Sequence, residues 1–514
     1  MSVSNVLFVS IDSLRRDFLG AYDQPVDLDV DTRNLDRFAE RAVTFDTHYA
    51  GSLPCMPARR EWLAGVREFL WRPWGPMEPF DDPLPRLARD RGIVTQLITD
   101  HYHYFQHGSH GYYEDFNGFE FVRGHEFDAW RTAPADPPER LVSQSVTPGA
   151  DPDPRDVAFM HRPQYARNVA DVDELDERDF FVPQVFSRTA EWLGENREWD
   201  RWFCYVDSFD VHEPFHCPEP YASMYTDEDP TDPDLPFWPF YGRTDAGQSE
   251  LSERELAFVR SQFAGKATMV DRWFGRVLDR LDREGLWEET MVVVTSDHGH
   301  YLGEHGWVGK PGAPLYDVLA HTPLFVWHPD APSGGRVDAL TSAVDLYATV
   351  LEALDAPVPD DTHSRSLLPL VLGEATDHRD WALYGYWGST VNVTDGRYTY
   401  LHPPDPDVDA HCHSTGMMNP RRWFTPRSGQ PDAESGDFLP YADVPVWRYE
   451  GATHARHEEP MLFDTDADPA QETDLAGEGH PAETRLREGL VAAMDRLDAP
   501  AREYERLGLD RADA

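Results

Sequence analysis

"NVLFVSIDSLRRD", residues 5–17, opens as an unbroken apolar run and stops at an acid. Val6–Ile11 is β-branched or aromatic almost throughout and is bounded by polar residues, the pattern of a strand covered on both faces. Val94–Ile98, Trp202–Val206, Met291–Thr295 and Leu324–Trp327 read the same way. Segments with apolar residues at helical spacing lie between them, at Asp36–Ala42, Val185–Glu195, 253–285 and 342–354. This alternation predicts an α/β fold, with a large, mixed, mostly parallel central sheet flanked by helices. In open sheets of this kind, ligands gather beyond the carboxyl ends of the strands. Asp12 and Ser13 follow the first strand; Asp100, His101 and His103 follow the second. Asp207, Asp210 and His212 follow the third, and Asp297, His298 and His300 the fourth. An acid at one strand end is ordinarily a turn or capping residue. Acids and histidines at four of them predict one convergent site.

After about Glu374 the pattern changes. Short alternating segments, "WALYGYW", "VNVTDGRYTYLH" and "PVWRYE", predict antiparallel strands, and a helix follows near 482–498. The expected division is a catalytic α/β domain over 1–375 and a smaller C-terminal α+β domain over 376–514. Residues 133–156, rich in Pro and Asp, read as an inserted loop, and 218–247 as a second irregular region.

The chain carries 93 acidic residues against 46 Lys and Arg, a formal net charge of -47 spread along its whole length. An aromatic content of 12% excludes an acidic disordered protein. The charge reads as a halophilic surface, whose self-repulsion salt screens. It argues against nucleic acid or an anionic membrane as partner. No stretch has the length and apolarity of a membrane span, the N-terminus does not read as a signal peptide, and cytoplasm is the expected location. Cys55, Cys204, Cys217 and Cys412 lack the paired spacing of a zinc site.

Asp12, Asp297 and His298 form a candidate metal set of oxygen and nitrogen donors. Cys55 has a local argument of its own. "PARREWLAG" reads as a helix with Pro57 at its first position and Gly65 closing it, which puts Cys55 just before the helix N-terminus. An anion is favoured there, and the same position lowers a thiol pKa. Arg59 and Arg60, a cationic first turn, point to an anionic ligand.

Taken in order, "NVLFVSIDSLRRDFLG", "CMPAR", "SDHGHYLGEHGWVGK", "HTPLFVWHPD", "SAVDLYATVLEAL", "SRSLLPLVLGE" and "MLFDTDADPAQETDLA" resemble the type I sulfatases of the alkaline phosphatase superfamily, over residues 5 to 476. The resemblance implies an alkaline phosphatase-like fold and hydrolysis of small sulfated sugars or aryl or alkyl sulfates. It also implies that Cys55, in C-x-P-A-R, is oxidised to formylglycine by a formylglycine-generating enzyme during maturation. The hydrated aldehyde attacks sulfur with one hydroxyl, and the second expels sulfate. By the same resemblance one divalent metal, Ca2+ first with Mn2+ or Mg2+ as alternatives, is held by Asp12, Ser13, residue 55, Asp297 and His298. Arg59 stabilises the nucleophile, Lys310 contacts the sulfate group, and His212 of "HEPF" stands near the leaving oxygen.

Two departures from the family pattern stand out. Ser13 occupies the place of a second aspartate, which removes one negative ligand. The usual "GKWH" is replaced by "TDHYH", and a one-residue shift gives His101 and His103 the lysine and histidine places. Two alternatives accompany the sulfatase reading: a phosphodiesterase or phosphonate monoester hydrolase on the same scaffold, and a binding protein that keeps the fold without catalysis.

Overall fold

The computed structural model describes residues 2–511 except 23–25, 27, 107, 149–161, 172–175, 311 and 418–432. Its centre is an eight-stranded sheet made of β1 (Asn5–Ile11), β2 (Val43–Phe45), β3 (Val94–Thr99), β4 (Gly118–Phe121), β5 (Trp202–Ser208), β6 (Thr290–Thr295), β7 (Leu324–Trp327) and β8 (Arg336–Val337). The order across the sheet is β8-β2-β7-β6-β1-β5-β3-β4. β6, β1, β5, β3 and β4 are mutually parallel, and β7 runs antiparallel to both of its neighbours. All five strands read from the sequence are in this sheet. The reversed direction of β7 is invisible in its composition, because it too is buried among other strands.

Alternation along β1 divides the core. Val6 and Phe8 face one hydrophobic cluster, and Leu7, Val9 and Ile11 face another. The first cluster includes Trp62 and Leu63 of helix α1 (Cys55–Ala64) and Leu346 and Val350 of α4 (Asp345–Ala353). The second takes α2 (Phe181–Glu195) and α3 (Glu253–Glu284), through residues such as Val185, Phe186, Phe263 and Trp273. The long α3 begins with a capping box between Ser252 and Glu255 and ends at Gly285 in the left-handed conformation, φ 68°.

The C-terminal segments form a second sheet in the order Met461–Asp464, Tyr398–His402, Val391–Thr394, Ala382–Tyr386 and Ser52–Leu53. Its last member comes from the N-terminal half, with Ser52 level with Gly385 and Leu53 with Tyr386. The segment that feeds α1 is therefore pinned to the C-terminal sheet. His411–Ser414, Val446–Glu450 and Glu434–Gly436 form a third, antiparallel sheet, and α5 (Pro481–Arg496) packs on the first cluster through Leu486 and Leu490. Of the inserted loop at 133–156, residues 149–156 lie outside the described residues, and Glu139–Ser143 is a short helix.

The helix after "SLP" departs from the sequence reading. It begins at Cys55, with Pro54 as its N-cap, so Pro57 is its third residue and Cys55 its first. Gly65 does close it, with φ 69°. Arg60 does not serve an anionic ligand: it is fully buried in ion pairs with Asp81 and Glu68, at 2.5 and 2.9 Å.

Candidate active site

Four adjacent strands, β6, β1, β5 and β3, deliver Asp297, Asp12, Asp207 and His101 to one end of the sheet. Ser10, in β1, is level with Asp207 on one side and with Thr295 on the other. Asp12 therefore emerges between Asp207 and Asp297. Ser13 adopts a left-handed backbone, φ 61°, and its N–H turns to donate to Asp297 Oδ1 at 3.0 Å. Its hydroxyl donates to Asp12 Oδ1 at 2.8 Å.

Donor atoms of Asp12, Cys55, Asp297 and His298 all lie within 4.8 Å of one another, and all four residues are buried. Ser13, expected in this set too, lies against it, with its N–H on Asp297 and its hydroxyl on Asp12. His298 donates Nδ1–H to the Gly299 carbonyl at 2.9 Å, which leaves the Nε2 lone pair facing Cys55 Sγ at 3.3 Å. That is the tautomer a ligating histidine needs. Burial, and then the negative charge of Asp297, push the Asp12 carboxyl well above the usual range. Burial works against ionised Asp297 too, but the His298 imidazole and the Arg59 guanidinium hold it below that range. Two carboxylates sharing one dry site with a correctly oriented imidazole fit a divalent cation.

Arg59, four residues on from Cys55 in α1, reaches into the same site. Its Nε and Nη2 form a fork on Asp207, at 3.0 and 2.7 Å, and Nη2 lies 2.9 Å from Asp12 Oδ2. Nη1 donates to Asp297 and, at 3.1 Å, to the Cys55 carbonyl. Asp207 also accepts from Ser10 Oγ (2.6 Å), Tyr104 Oη (2.7 Å) and His101 Nδ1 (3.2 Å). Against its burial, Arg59 and then His101 keep its carboxyl well below the usual range.

The thiol corrects the sequence reading. Cys55 is 2% exposed, and burial followed by the charge of Asp12 pushes its pKa well above the usual value, not below it. Cys55, Cys204, Cys217 and Cys412 are all free and buried.

Lys310 and His212 complete the centre from other loops. Lys310 Nζ lies 3.5 Å from Ser13 Oγ. His212 donates Nδ1–H to the Glu213 carbonyl at 2.8 Å, and burial together with Lys310 pushes its imidazole well below the usual range, so it is neutral. His101 is held against Asp207. His103 is further out, with Nδ1 2.6 Å from Gln106 Oε1, Nε2 3.4 Å from Glu126, and its ring edge-on to Trp74 at 4.8 Å. Asp100 does not join them: it accepts the Phe209 N–H at 2.7 Å and groups with His125 and Asp210. Of three further buried residues in this region, the sequence reading takes Asp207 and His300 only as members of the converging strand ends, with no role of their own, and does not single out Glu213. Their only signal there was proximity to strand ends.

The sulfatase family profile matches residues 4–356. The chain belongs to the sulfatase family. This sulfatase-family chain is 25% identical to the multifunctional alkaline phosphatase superfamily protein PehA of Trinickia caryophylli, over 93% of its own length and 92% of the relative's. It is also 25% identical to the uncharacterized sulfatase YidJ of Escherichia coli, over 72% and 71%. Its fold matches the phosphonate monoester hydrolase of Agrobacterium radiobacter with a TM-score of 0.65, at 21% identity and 96% coverage of both chains. Among the described residues, no helix is long and apolar enough to cross a membrane.

Proposed function

We propose that this chain hydrolyses a small sulfate monoester, using one divalent cation and a formylglycine derived from Cys55 by a formylglycine-generating enzyme. One observation carries the reading: Asp12, Cys55, Asp297 and His298 close on a single buried point, with Arg59 and Lys310 packed against it. Asp12, Asp297, His298 and residue 55 would hold the cation, Ca2+ first and Mn2+ or Mg2+ as the alternatives, and it would supply Lewis-acid polarisation, while the hydrated aldehyde would supply the two hydroxyls.

The remaining work belongs to the chain's own side chains. Arg59, fixed by Asp207, keeps its charge beside residue 55 and orients that residue's backbone carbonyl. Lys310 is held protonated, Glu213 being the leading charge in its favour, and it offers a cation to the ester's oxygens. His212 donates Nδ1–H to a carbonyl, so Nε2 is its free, unprotonated nitrogen at rest. It can protonate the leaving oxygen only after accepting a proton at Nε2, and the one available is the proton that the attacking hydroxyl of residue 55 gives up. Neutral His101, oriented by Asp207, is the second candidate proton acceptor.

A second reading, hydrolysis of phosphodiesters or phosphonate monoesters, is favoured by Ser13. With no second aspartate after β1, the donor set carries less negative charge, and the fold is shared with a phosphonate monoester hydrolase. The deciding experiment compares kcat/KM for 4-nitrophenyl sulfate, bis(4-nitrophenyl) phosphate and 4-nitrophenyl phenylphosphonate, on protein whose residue 55 has been typed by peptide mass spectrometry. Preference for the sulfate with formylglycine at 55 is expected. A phosphorus-ester preference of several orders of magnitude reverses the choice of substrate, and full activity with unmodified Cys55 overturns the nucleophile.

A further inference from the structure

The "HEPF" element carries a second ionisable side chain beside His212. Glu213 is 2% exposed and faces three groups of the site. Its Oε2 lies 3.4 Å from His212 Nδ1, 3.5 Å from His300 Nδ1 and 3.7 Å from Lys310 Nζ. Glu213 and Lys310 thus form a buried ion pair, and donor atoms of Glu126 and His212 lie within 4.8 Å of the same carboxylate. Lys310 in turn lies within reach of Ser13, beside the four-donor set. The carboxylate of that pair stands immediately behind the cation that meets the ester.

The consequence is electrostatic. In a dry site, unit charges a few ångströms apart interact by several kcal/mol even at an effective dielectric constant of about 20. A sulfate monoester or a phosphodiester brings one negative charge, which Lys310 and Arg59 accommodate. A phosphate monoester brings two above pH 7, and its second charge meets Glu213 in place of an unopposed lysine. Removing the glutamate charge leaves Lys310 fully available to a dianion.

We propose that Glu213 is a specificity-determining residue that restricts the site to monoanionic tetrahedral esters and rejects dianionic phosphate monoesters. This rests on the hydrolase reading given above. It has a corollary for turnover: inorganic sulfate, the product, is itself a dianion, so the same carboxylate disfavours its retention.

The test is Glu213→Gln, which keeps size and hydrogen-bonding atoms while removing the charge. At pH 8, the ratio of kcat/KM for 4-nitrophenyl phosphate to that for 4-nitrophenyl sulfate is expected to rise at least about tenfold. By calorimetric titration, inorganic sulfate is expected to bind at least about tenfold more tightly than to the unaltered protein. A third measurement needs no variant: the unaltered protein should bind methyl sulfate, a monoanion, at least as tightly as inorganic sulfate. An unchanged ratio with unchanged sulfate affinity overturns the proposal. So does unaltered protein that prefers the dianion by more than tenfold. If the unaltered protein hydrolyses neither sulfates nor phosphodiesters, the hydrolase reading fails, and the two titrations still decide the role of Glu213.

Discussion

Asp207→Asn isolates the group that holds Arg59 in place. The carboxylate accepts five donors: Nε and Nη2 of Arg59, Ser10 Oγ, Tyr104 Oη and His101 Nδ1. Asparagine has one acceptor oxygen, and in either orientation its NH2 opposes an N–H of the Arg59 fork. The hydroxyls of Ser10 and Tyr104 can rotate away, but the guanidinium cannot. Removing one partner of a buried ion pair costs about 3–5 kcal/mol. Arg59 keeps Asp12 and Asp297, which offset part of that loss, so about 3 kcal/mol is the expected destabilisation. Because the same fork aims Nη1 at residue 55, a loss of similar size in transition-state stabilisation lowers kcat/KM by about 100-fold. The assay pairs denaturant unfolding with steady-state hydrolysis of an aryl sulfate, normalised to folded, modified enzyme. An Asn variant within twofold of the unaltered enzyme in kcat/KM, with an unchanged unfolding midpoint, refutes the assignment. A loss of stability alone shows that Arg59 is oriented without Asp207.

His212→Asn should slow hydrolysis of alkyl sulfates by about 10²–10⁴-fold and of nitrophenyl sulfate much less, because only a poor leaving group needs its proton. Equal losses on both substrates count against that role. Chelation should lower the unfolding free energy and restoration of the metal should raise it, by about 2.7 kcal/mol when free metal is 100 times its Kd, since only the folded chain brings Asp12, Asp297 and His298 together. In Asp297→Asn the chelator effect should shrink to near zero, and elemental analysis should show the metal lost. Away from the centre, Asp345 is fully buried and accepts Arg379 Nε at 2.8 Å and His378 Nε2 at 3.1 Å, and Arg379 holds its carboxyl well below the usual range despite the burial. A depressed carboxylate contributes stability above its unfolded pKa of about 4 and loses it as pH falls through the folded value. Asp345→Asn should therefore cost about 3–5 kcal/mol at pH 7 and progressively less below about pH 4, read as the gap between the two unfolding curves.

Much of the scaffold is legible in the sequence because burial on both faces leaves apolar runs too long to be chance. β1, β3, β5, β6 and β7 are all visible that way, and the helix from Glu253 is visible from its apolar residues at helical spacing. Motifs confined to one segment were legible too: "CMPAR" and "SDHGH" place Cys55, Arg59, Asp297 and His298 by themselves. What escaped reading depends on contacts between segments. Ser52–Leu53 is only two residues long, and nothing local says that it joins a sheet whose other strands begin at Ala382. Asp207 and Glu213 look like ordinary acids beside a strand; only the approach of Arg59 to one and of Lys310 to the other gives them a task. The start of α1 was misplaced because Pro57 suits a first helical position, whereas Pro54 caps the helix and puts Cys55 itself there.

That placement sets two effects on the Cys55 thiol against each other. The first residue of a helix favours an anion, by about 0.3–1 kcal/mol at a surface and up to about 2 when partly buried. Burial in a dry pocket and the charge of Asp12 act in the opposite direction, and together they win: the thiol is pushed up and stays protonated, close to His298 Nε2. A neutral thiol is a poor nucleophile and a poor metal ligand. A hydrated aldehyde has no sulfur to ionise and presents oxygen, the donor that a hard cation prefers. On the proposed reading, the site is built for the modified residue, and the cysteine is only its precursor. Cys55 is 2% exposed and α1 is buried along its entire length, so an enzyme that oxidised this residue, as the proposed function requires, would have to meet it before the helix packs.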